Sequence, residues 1–324
     1  MHIPDGFLDV KTAVATGLFS LTGLGAALRH AGKHLQSRKI PLIGLTAAFI
    51  FVAQMLNFPV ASGTSGHLLG STFAAVLLGP SAAIIVMSSV LIVQSLIFAD
   101  GGVLALGANI FNMGIVACLV GYGVYKALRL FLRGDQGQLV AVGFASWIST
   151  VVAAVSCAGE LAWSGTADWR AAFPAMTGVH ILTGLGEAAI TMLVIAAIGR
   201  TRPELLTDVD ESTASTGRTT TLVYGALVVI GLFLLVAPHA SPMPDGLEMV
   251  ASSLGFEHKA SSSSVISSPL RDYQIPGIQS ASTATIVAGA VGALVVFALS
   301  FLLARVLVPR RKSEGHSSTP LNRQ

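Results

Sequence analysis

The first two residues of the chain carry three nitrogen atoms that can chelate one metal ion. The free amine of Met1, the amide nitrogen between Met1 and His2, and Nδ1 of the His2 ring can close fused chelate rings around an ion. The amide loses its proton only when a metal replaces it. Three nitrogens fixed in this way lie nearly in a plane, and Ni²⁺ and Cu²⁺ readily accept square-planar nitrogen ligands. One more nitrogen would complete the square, although most proteins that begin Met-His carry an ordinary solvated histidine there.

His67 is the second candidate ligand. It ends the stretch SGTSGH at residues 62–67, beside a short apolar run. Glycines allow the backbone to approach closely, and the hydroxyls of Thr64 and Ser65 could hydrogen-bond the far nitrogen of a ligating imidazole. A single histidine is more often not a ligand. Its predicted place on the same outer side as Met1 strengthens it as a candidate.

Several polar side chains fall inside long apolar runs. His180 and Glu187 stand seven residues apart and therefore share one face of a helix. Asn109 and Asn112 occupy another run. Polar groups in lipid are costly and usually face the protein interior, where they either lock helices together or serve function. These four residues, with Thr64 and Ser65, are candidates for positions that surround a metal site, and a purely structural role is equally compatible with them.

The sequence lacks the usual signatures of an enzyme. It has no G-x-x-x-x-G-K-[ST] phosphate loop, no nucleophile elbow and no H-E-x-x-H zinc motif. We therefore expect neither catalysis nor an ATPase site in this chain.

Composition indicates that lipid is the solvent of most of the chain. Of its 324 residues, 53% are hydrophobic and only 11% are charged, whereas a soluble domain averages about 25% charged. Most of its apolar runs have the ~17–25 residues needed to cross ~30 Å of hydrocarbon as helices. We predict an all-α polytopic membrane protein with about nine transmembrane helices. The runs cover residues 12–28, 40–58, 67–78, 81–98, 103–124, 139–163, 174–199, 220–237 and 284–307.

The third run is short and meets the fourth at Gly79-Pro80-Ser81, which predicts a tight corner. Short runs interrupted by Gly or Pro often line the polar sites of transporters.

The distribution of basic residues predicts the orientation of the chain. If the N-terminus lies outside and nine spans follow, 15 of the 19 Lys and Arg residues fall on the cytoplasmic side. Positive residues favour that side. The prediction is therefore a multi-pass protein of the cell (inner) membrane, with its N-terminus outside and its C-terminus in the cytoplasm. The net charge of +3 is spread along the membrane edges, so we expect membrane lipid, and no nucleic acid, as a partner.

Changes of composition divide the chain into four parts. Residues 1–200 hold the candidate ligands, and residues 201–219 form a polar cytoplasmic linker. Residues 220–307 contain two spans around an outside loop that includes the run Ser261 to Ser264, and residues 308–324 form a basic cytoplasmic tail. The acidic opening MHIPD lacks the basic leader of a signal peptide, so we expect Met1 to remain at the mature N-terminus.

Five ordered motifs resemble one family of membrane proteins. They are MHIPDG at residues 1–6, QMLNFPV at 54–60, SGTSGHLLG at 62–70, ALGANIFNMG at 105–114 and HILTGLGE at 180–187. Together they resemble the substrate-capture (S) components of energy-coupling-factor nickel/cobalt importers, the NikM/CbiM family. The second part resembles the small NikN-like accessory subunit of the same importers, through PDGLE at 244–248 and SPLRDY at 268–273.

The resemblance implies a ligand set and a set of partners. It implies that the ion is held by the Met1 amine, the amide and ring nitrogens of His2, and a ring nitrogen of His67. It also implies Ni²⁺ or Co²⁺ as the transported substrate, with a transmembrane coupling (T) subunit and cytoplasmic ATPase subunits as partners. The presence of Pro4-Asp5 in the first motif favours the nickel importers of this family.

Two other functions remain open at this point. A self-sufficient secondary metal transporter would use His180 and Glu187 as a proton relay. A metal-binding membrane sensor would bind the ion without moving it.

Overall fold

The computed structural model describes residues 1–60, 63–206, 218–232, 240–261 and 266–308. Most of the predicted linker, most of the tail and three of the four serines of the 261–264 run lie outside the described residues, as does the end of the eighth predicted span. The described chain is helical apart from its loops and one two-residue ribbon, in which Phe58–Pro59 (β1) pairs antiparallel with Ser65–Gly66 (β2). The all-α prediction is confirmed.

Eleven α-helices are described along the chain. They are α1 (Val10–His34), α2 (Ile40–Met55), α3 (Ser71–Leu78), α4 (Pro80–Val93), α5 (Leu106–Asn109), α6 (Ala117–Arg129), α7 (Gly134–Trp163), α8 (Trp169–Thr201), α9 (Arg218–Gly231), α10 (Gly246–Ser253) and α11 (Ala281–Leu307). Two π-helical segments extend them. Gln94–Phe98 prolongs α4, and Ile110–Val116 joins α5 to α6.

Six helical segments in the described part are long and apolar enough to cross a membrane, which confirms a multi-pass membrane protein. They are Val10–His34, Pro80–Phe98, Leu106–Arg129, Gly134–Trp163, Trp169–Thr201 and Ala281–Leu307. The other three predicted spans coincide with shorter helices, namely α2 with 16 residues, α3 with eight and α9 with 14. The count of nine spans therefore stays a prediction.

The third predicted run is not a spanning helix by itself. Helix α3 begins at Ser71 rather than at residue 67, and its eight residues rise only about 12 Å. The predicted corner is present, because Gly79 adopts φ 91 between α3 and α4. The corner lines a cavity together with His34 and Leu205, at the opposite end of α1 from the N-terminal segment.

Small residues bring α1 close to the segment that carries Asn109. A methyl group placed on Gly107 would lie 2.5 Å from Cα of Gly17, and the Ser20 hydroxyl donates to the Gly107 carbonyl at 2.6 Å. Without a hydrophobic driving force between helices in lipid, close backbone approach through small residues and such polar bonds holds helices together. Gly107 therefore sets the distance between α1 and α5.

The second part of the chain packs directly on the first. Helix α11 lies against α2, where Phe297 covers Gly44 and Phe51 covers Gly292. Helix α10 lies on α8 and buries Leu247. The PDGLE segment at the start of α10 therefore lies over the end of the bundle that contains residue 1.

Replacing Gly107 by Ala should destabilise the protein, because the new methyl group would meet the backbone of α1. Overpacking of this kind costs about 1–3 kcal/mol. The matched control is Gly178→Ala in α8, where no atom lies within 4 Å of the added methyl group. Thermal unfolding of both variants in detergent measures the effect. Equal unfolding temperatures for the two variants would show that the α1 contact is not tight.

Candidate metal centre

The N-terminal segment is largely buried although it has no regular secondary structure. Ile3 is fully buried, and its amide donates to Asn109 Oδ1 at 2.8 Å while Asn109 Nδ2 donates to the Ile3 carbonyl at 3.1 Å. The amide of Gly102 also donates to that carbonyl, and Asp5 accepts from the Leu104 amide, both at 2.8 Å. These bonds replace the water that the backbone would otherwise need. Asn109 thus holds the main chain directly after Met1 and His2 in place.

The Met1 amine meets the ring of His67. Its nitrogen lies 2.8 Å from His67 Nε2, and the rings of His2 and His67 stack with their centroids 5.2 Å apart. Four nitrogens at about 2.0 Å from a central ion form a square whose edge is about 2.8 Å. The observed distance therefore equals the separation of two adjacent ligands in such a square.

The loop that carries His67 is held by buried polar side chains. Glu187 of α8 accepts from the amides of Leu69 at 2.5 Å and Gly70 at 3.0 Å, and Gln54 of α2 donates to the Leu69 carbonyl at 2.8 Å. Gly70 has φ 79 and is the N-cap of α3. Two helices therefore fix the position of the loop from opposite sides of residue 69.

The far nitrogen of the His67 ring has a different partner from the one suggested by the sequence. Nδ1 lies 3.1 Å from the carbonyl oxygen of Leu68, which accepts its proton. Ser65 instead donates to the Met243 carbonyl at 2.7 Å, and Thr64 accepts from the Val60 amide through its own carbonyl at 2.8 Å. This pairing fixes the ring and leaves Nε2, the nitrogen next to Met1, as the one with a lone pair.

Three polar residues at the centre were missed by the sequence analysis. The Met1 amine donates to Asp245 Oδ2 at 2.5 Å, and that oxygen lies 3.9 Å from His67 Nε2. His2 Nδ1 lies 3.3 Å from Asp100 Oδ1, and its Nε2 lies 3.2 Å from Gln94 Oε1. Asp245 belongs to the PDGLE motif, so the sequence could have marked it as a candidate residue of the site. The sequence around Asp100 and Gln94 contains no such motif, because only the fold brings these two residues close to His2.

The contact of His2 with Asp100 bears on chelation. One imidazole nitrogen cannot donate a proton to a carboxylate and a lone pair to an ion at the same time. Binding an ion through Nδ1 therefore replaces the contact of that nitrogen with Asp100.

Burial keeps both histidine rings in the neutral form that binds metals. It lowers the pKa of His2, against the attraction of Asp100, and it lowers the pKa of His67 well below its usual value, with the positive Met1 amine as the next cause. Burial alone would raise the pKa of Asp245. The neighbouring positive Met1 amine outweighs it and holds the pKa of that carboxyl below its usual range. The centre thus combines neutral rings with an ionised carboxylate.

The other candidate residues lie away from the two rings. Asn112 donates to Glu160 Oε2 at 2.7 Å. His180 Nδ1 donates to the Met176 carbonyl at 2.8 Å, and the ring packs beneath Gly246. His180 and Glu187 thus bond to different main-chain groups. In the described part of the chain, no three His, Cys, Asp or Glu side chains form a group that could hold a metal ion.

Comparison with known proteins finds two family models along the chain. The model described as the cobalt uptake substrate-specific transmembrane region (CbiM) matches residues 2–205, and the model of the PDGLE domain matches residues 219–309.

Two relatives and a solved structure are also similar. The "Putative fused nickel transport protein NikMN" of Archaeoglobus fulgidus is 38% identical over 94% of this chain and 98% of its own length. The fused nickel transport protein NikMN of Rhodobacter capsulatus is 35% identical over 64% of each chain. A crystal structure of a truncated transition metal transporter has a TM-score of 0.57 at 32% identity, and the match covers 62% of this chain and 99% of that one.

Replacing His67 by Ala should weaken Ni²⁺ binding more than replacing His180 or Glu187. The first change removes a nitrogen that faces the Met1 amine, whereas loss of a supporting residue typically costs about 10–100-fold. The matched control is His30→Ala, far from Met1 at the other end of α1. Calorimetry on detergent-purified variants measures the affinities. Loss of binding in the His180 variant, with binding retained in the His67 variant, would show that the site has been assigned to the wrong residues.

Proposed function

The chain belongs to the CbiM family of cobalt-uptake transmembrane proteins, and on that premise we propose that it is the substrate-capture component of an ATP-driven energy-coupling-factor importer of Ni²⁺ or Co²⁺. Its named relatives transport nickel, which supports a metal ion as the substrate. The chain itself has no phosphate-loop motif. We therefore propose that a transmembrane coupling subunit and cytoplasmic ATPase subunits supply the energy.

The ion is held, in this proposal, by four nitrogens. They are the Met1 amine, the His2 amide, His2 Nδ1 and His67 Nε2. The observation that carries the proposal is the 2.8 Å distance between the Met1 nitrogen and His67 Nε2, because it fits adjacent corners of a planar nitrogen square. Neutral buried rings also suit metal binding, since a protonated imidazole has no lone pair to give.

Nickel is the better candidate for the transported ion. Both fused relatives described above are named as nickel transport proteins. Planar nitrogen ligands also suit Ni²⁺, which accepts square-planar geometry. Co²⁺ is the alternative, in line with the description of the family model.

The two parts of the chain have different tasks in this proposal. Residues 1–200 capture the ion, and residues 220–307 are an accessory part joined to it by the linker at 201–219. The N-terminus faces the outside of the cell and the tail at 308–324 faces the cytoplasm. The captured ion is therefore released inward when the partner subunits reorient this chain.

Two extra glycines before Met1 should abolish Ni²⁺ binding. They turn the Met1 amine into an amide and move the new amine out of the chelate ring, whereas a single glycine would create Gly-Met-His, whose amine, two amides and imidazole can chelate Ni²⁺ without His67. The matched control carries the same two glycines at the C-terminus, where they should be harmless. Calorimetry on both purified proteins, with the unmodified chain beside them, measures the affinity. Unchanged affinity in the N-terminally extended protein would reject chelation by the terminus.

Ni²⁺ affinity should fall as the pH falls from 8 to 6. The His2 amide gives up its proton to the ion at every pH in this range, so affinity should drop at least about tenfold per pH unit. Because burial lowers the pKa of both rings, His2 and His67 stay neutral further down the range than free imidazoles and add less to the slope. Titrations at pH 8, 7 and 6 give the slope. A flat line would contradict a site that includes the amide.

A further inference from the structure

The second part of the chain provides a carboxylate to the proposed metal site. Asp245 Oδ2 accepts from the Met1 amine at 2.5 Å, across 244 positions of sequence. Its side chain is only 13% exposed. The contact joins a residue of the accessory part to a proposed ligand on the capture part, and it is a charge-assisted hydrogen bond, the stronger kind.

The carboxylate is held rigidly by the helix that it begins. Oδ1 of Asp245 accepts from the amides of Leu247 and Glu248, and the Glu248 side chain accepts from the Asp245 amide, which completes a capping box for α10. One oxygen therefore serves the helix while the other is left for the amine. Rotating the side chain away from Met1 would uncap α10.

The turn before α10 is fixed to the loop that carries His67. The Ser65 amide donates to the Pro244 carbonyl at 2.8 Å, and the Ser65 hydroxyl donates to the Met243 carbonyl at 2.7 Å. Gly246 packs on the His180 ring, where any side chain at 246 would come within 2.9 Å of Nε2. These contacts place Asp245 within the same rigid unit as His67.

The amine can bond to Asp245 and to an ion together. A neutral amine has one lone pair for the ion and keeps two N–H groups, so one N–H can still point at the carboxylate. Residues that hydrogen-bond a ligand from behind set its orientation and raise its affinity for the metal. This differs from the contact of His2 Nδ1 with Asp100, which an ion would displace.

We propose that Asp245 is a positioning residue of the metal site, which aims the lone pair of the Met1 amine at the ion, so that the accessory part completes the site of the capture part. This inference rests on the proposed function, because it presumes that the amine is a ligand. It gives the accessory part a defined chemical role at the site.

The experiment measures Ni²⁺ binding by full-length Asp245→Ser, Asp245→Asn and Asp272→Asn. Ser and Asn are both good N-cap residues, so α10 should persist in both Asp245 variants. A serine and an asparagine each have a single acceptor oxygen, which the helix amides use, so neither keeps an acceptor for the Met1 amine. Asp272 lies in the same part of the chain with its side chain 76% exposed, and Asn is well tolerated at its φ of 53. It is the control for loss of one negative charge.

Affinity in Asp245→Ser and in Asp245→Asn should fall roughly 10–100-fold, and Asp272→Asn should bind like the unmodified chain. The visible absorption band of bound Ni²⁺ should shift in both Asp245 variants, since a merely structural change leaves the ligand field intact. Asp272→Asn should unfold at the temperature of the unmodified chain, whereas both Asp245 variants should unfold at a lower temperature, because the buried Met1 amine loses its carboxylate.

Two results would overturn the inference. One is Asp245→Ser binding with the affinity and spectrum of Asp272→Asn. The other is a loss of affinity in Asp245→Ser with an absorption band that does not shift. The N-terminally extended protein, measured beside them, separates the two proposals. If it binds Ni²⁺ normally, the proposed function fails; if it does not bind and Asp245→Ser does, only the role of Asp245 fails.

Discussion

The approach of the Met1 amine to the His67 ring is the contact on which the rest of the site depends. A chain terminus is normally solvated, because its charge and its free N–H groups are costly to bury. Here the side chain of Met1 is only 3% exposed. The structure offsets that cost with one carboxylate on the amine and with the paired bonds of Asn109 to Ile3. Every neighbouring element has to be placed so that these bonds can form.

The same constraint explains the irregular backbone around His67. Within a membrane, non-helical chain is tolerated only where its polar groups are satisfied by protein. Glu187 and Gln54 satisfy the amides and the carbonyl that follow His67. The positions of Glu187 in α8 and Gln54 in α2 are therefore set by the polar main-chain groups of this loop. A helix that ran through residue 67 would have filled the opening that residue 1 occupies. The short α3 is the consequence.

The sequence predicts the membrane class and the corner at Gly79, because hydropathy and glycine act locally. It also supports His2 and His67 as partners through their motifs. It does not predict that Glu187 bonds to the loop after His67 while His180 packs under Gly246, since both stand on one helix face and only tertiary packing separates their tasks. The contact of Asp100 with His2 could not be predicted from the sequence for the same reason. Its role depends on a turn after the π-helical end of α4, a feature that hydropathy does not register.

Joining the two parts of the chain covalently has a physical consequence for the contacts around Met1. Asp245 reaches Met1 only when α10 lies on α8 and the turn at 243–244 is bonded to Ser65. Tyr273, from the same part, donates to Asp100 Oδ2 at 2.7 Å and stacks on Phe98. The second part of the chain therefore also contacts the carboxylate that lies beside His2. As a separate subunit these two segments would dissociate from the first part, whereas a covalent linker raises their effective concentration. The fusion therefore keeps the Asp245 carboxylate beside the Met1 amine.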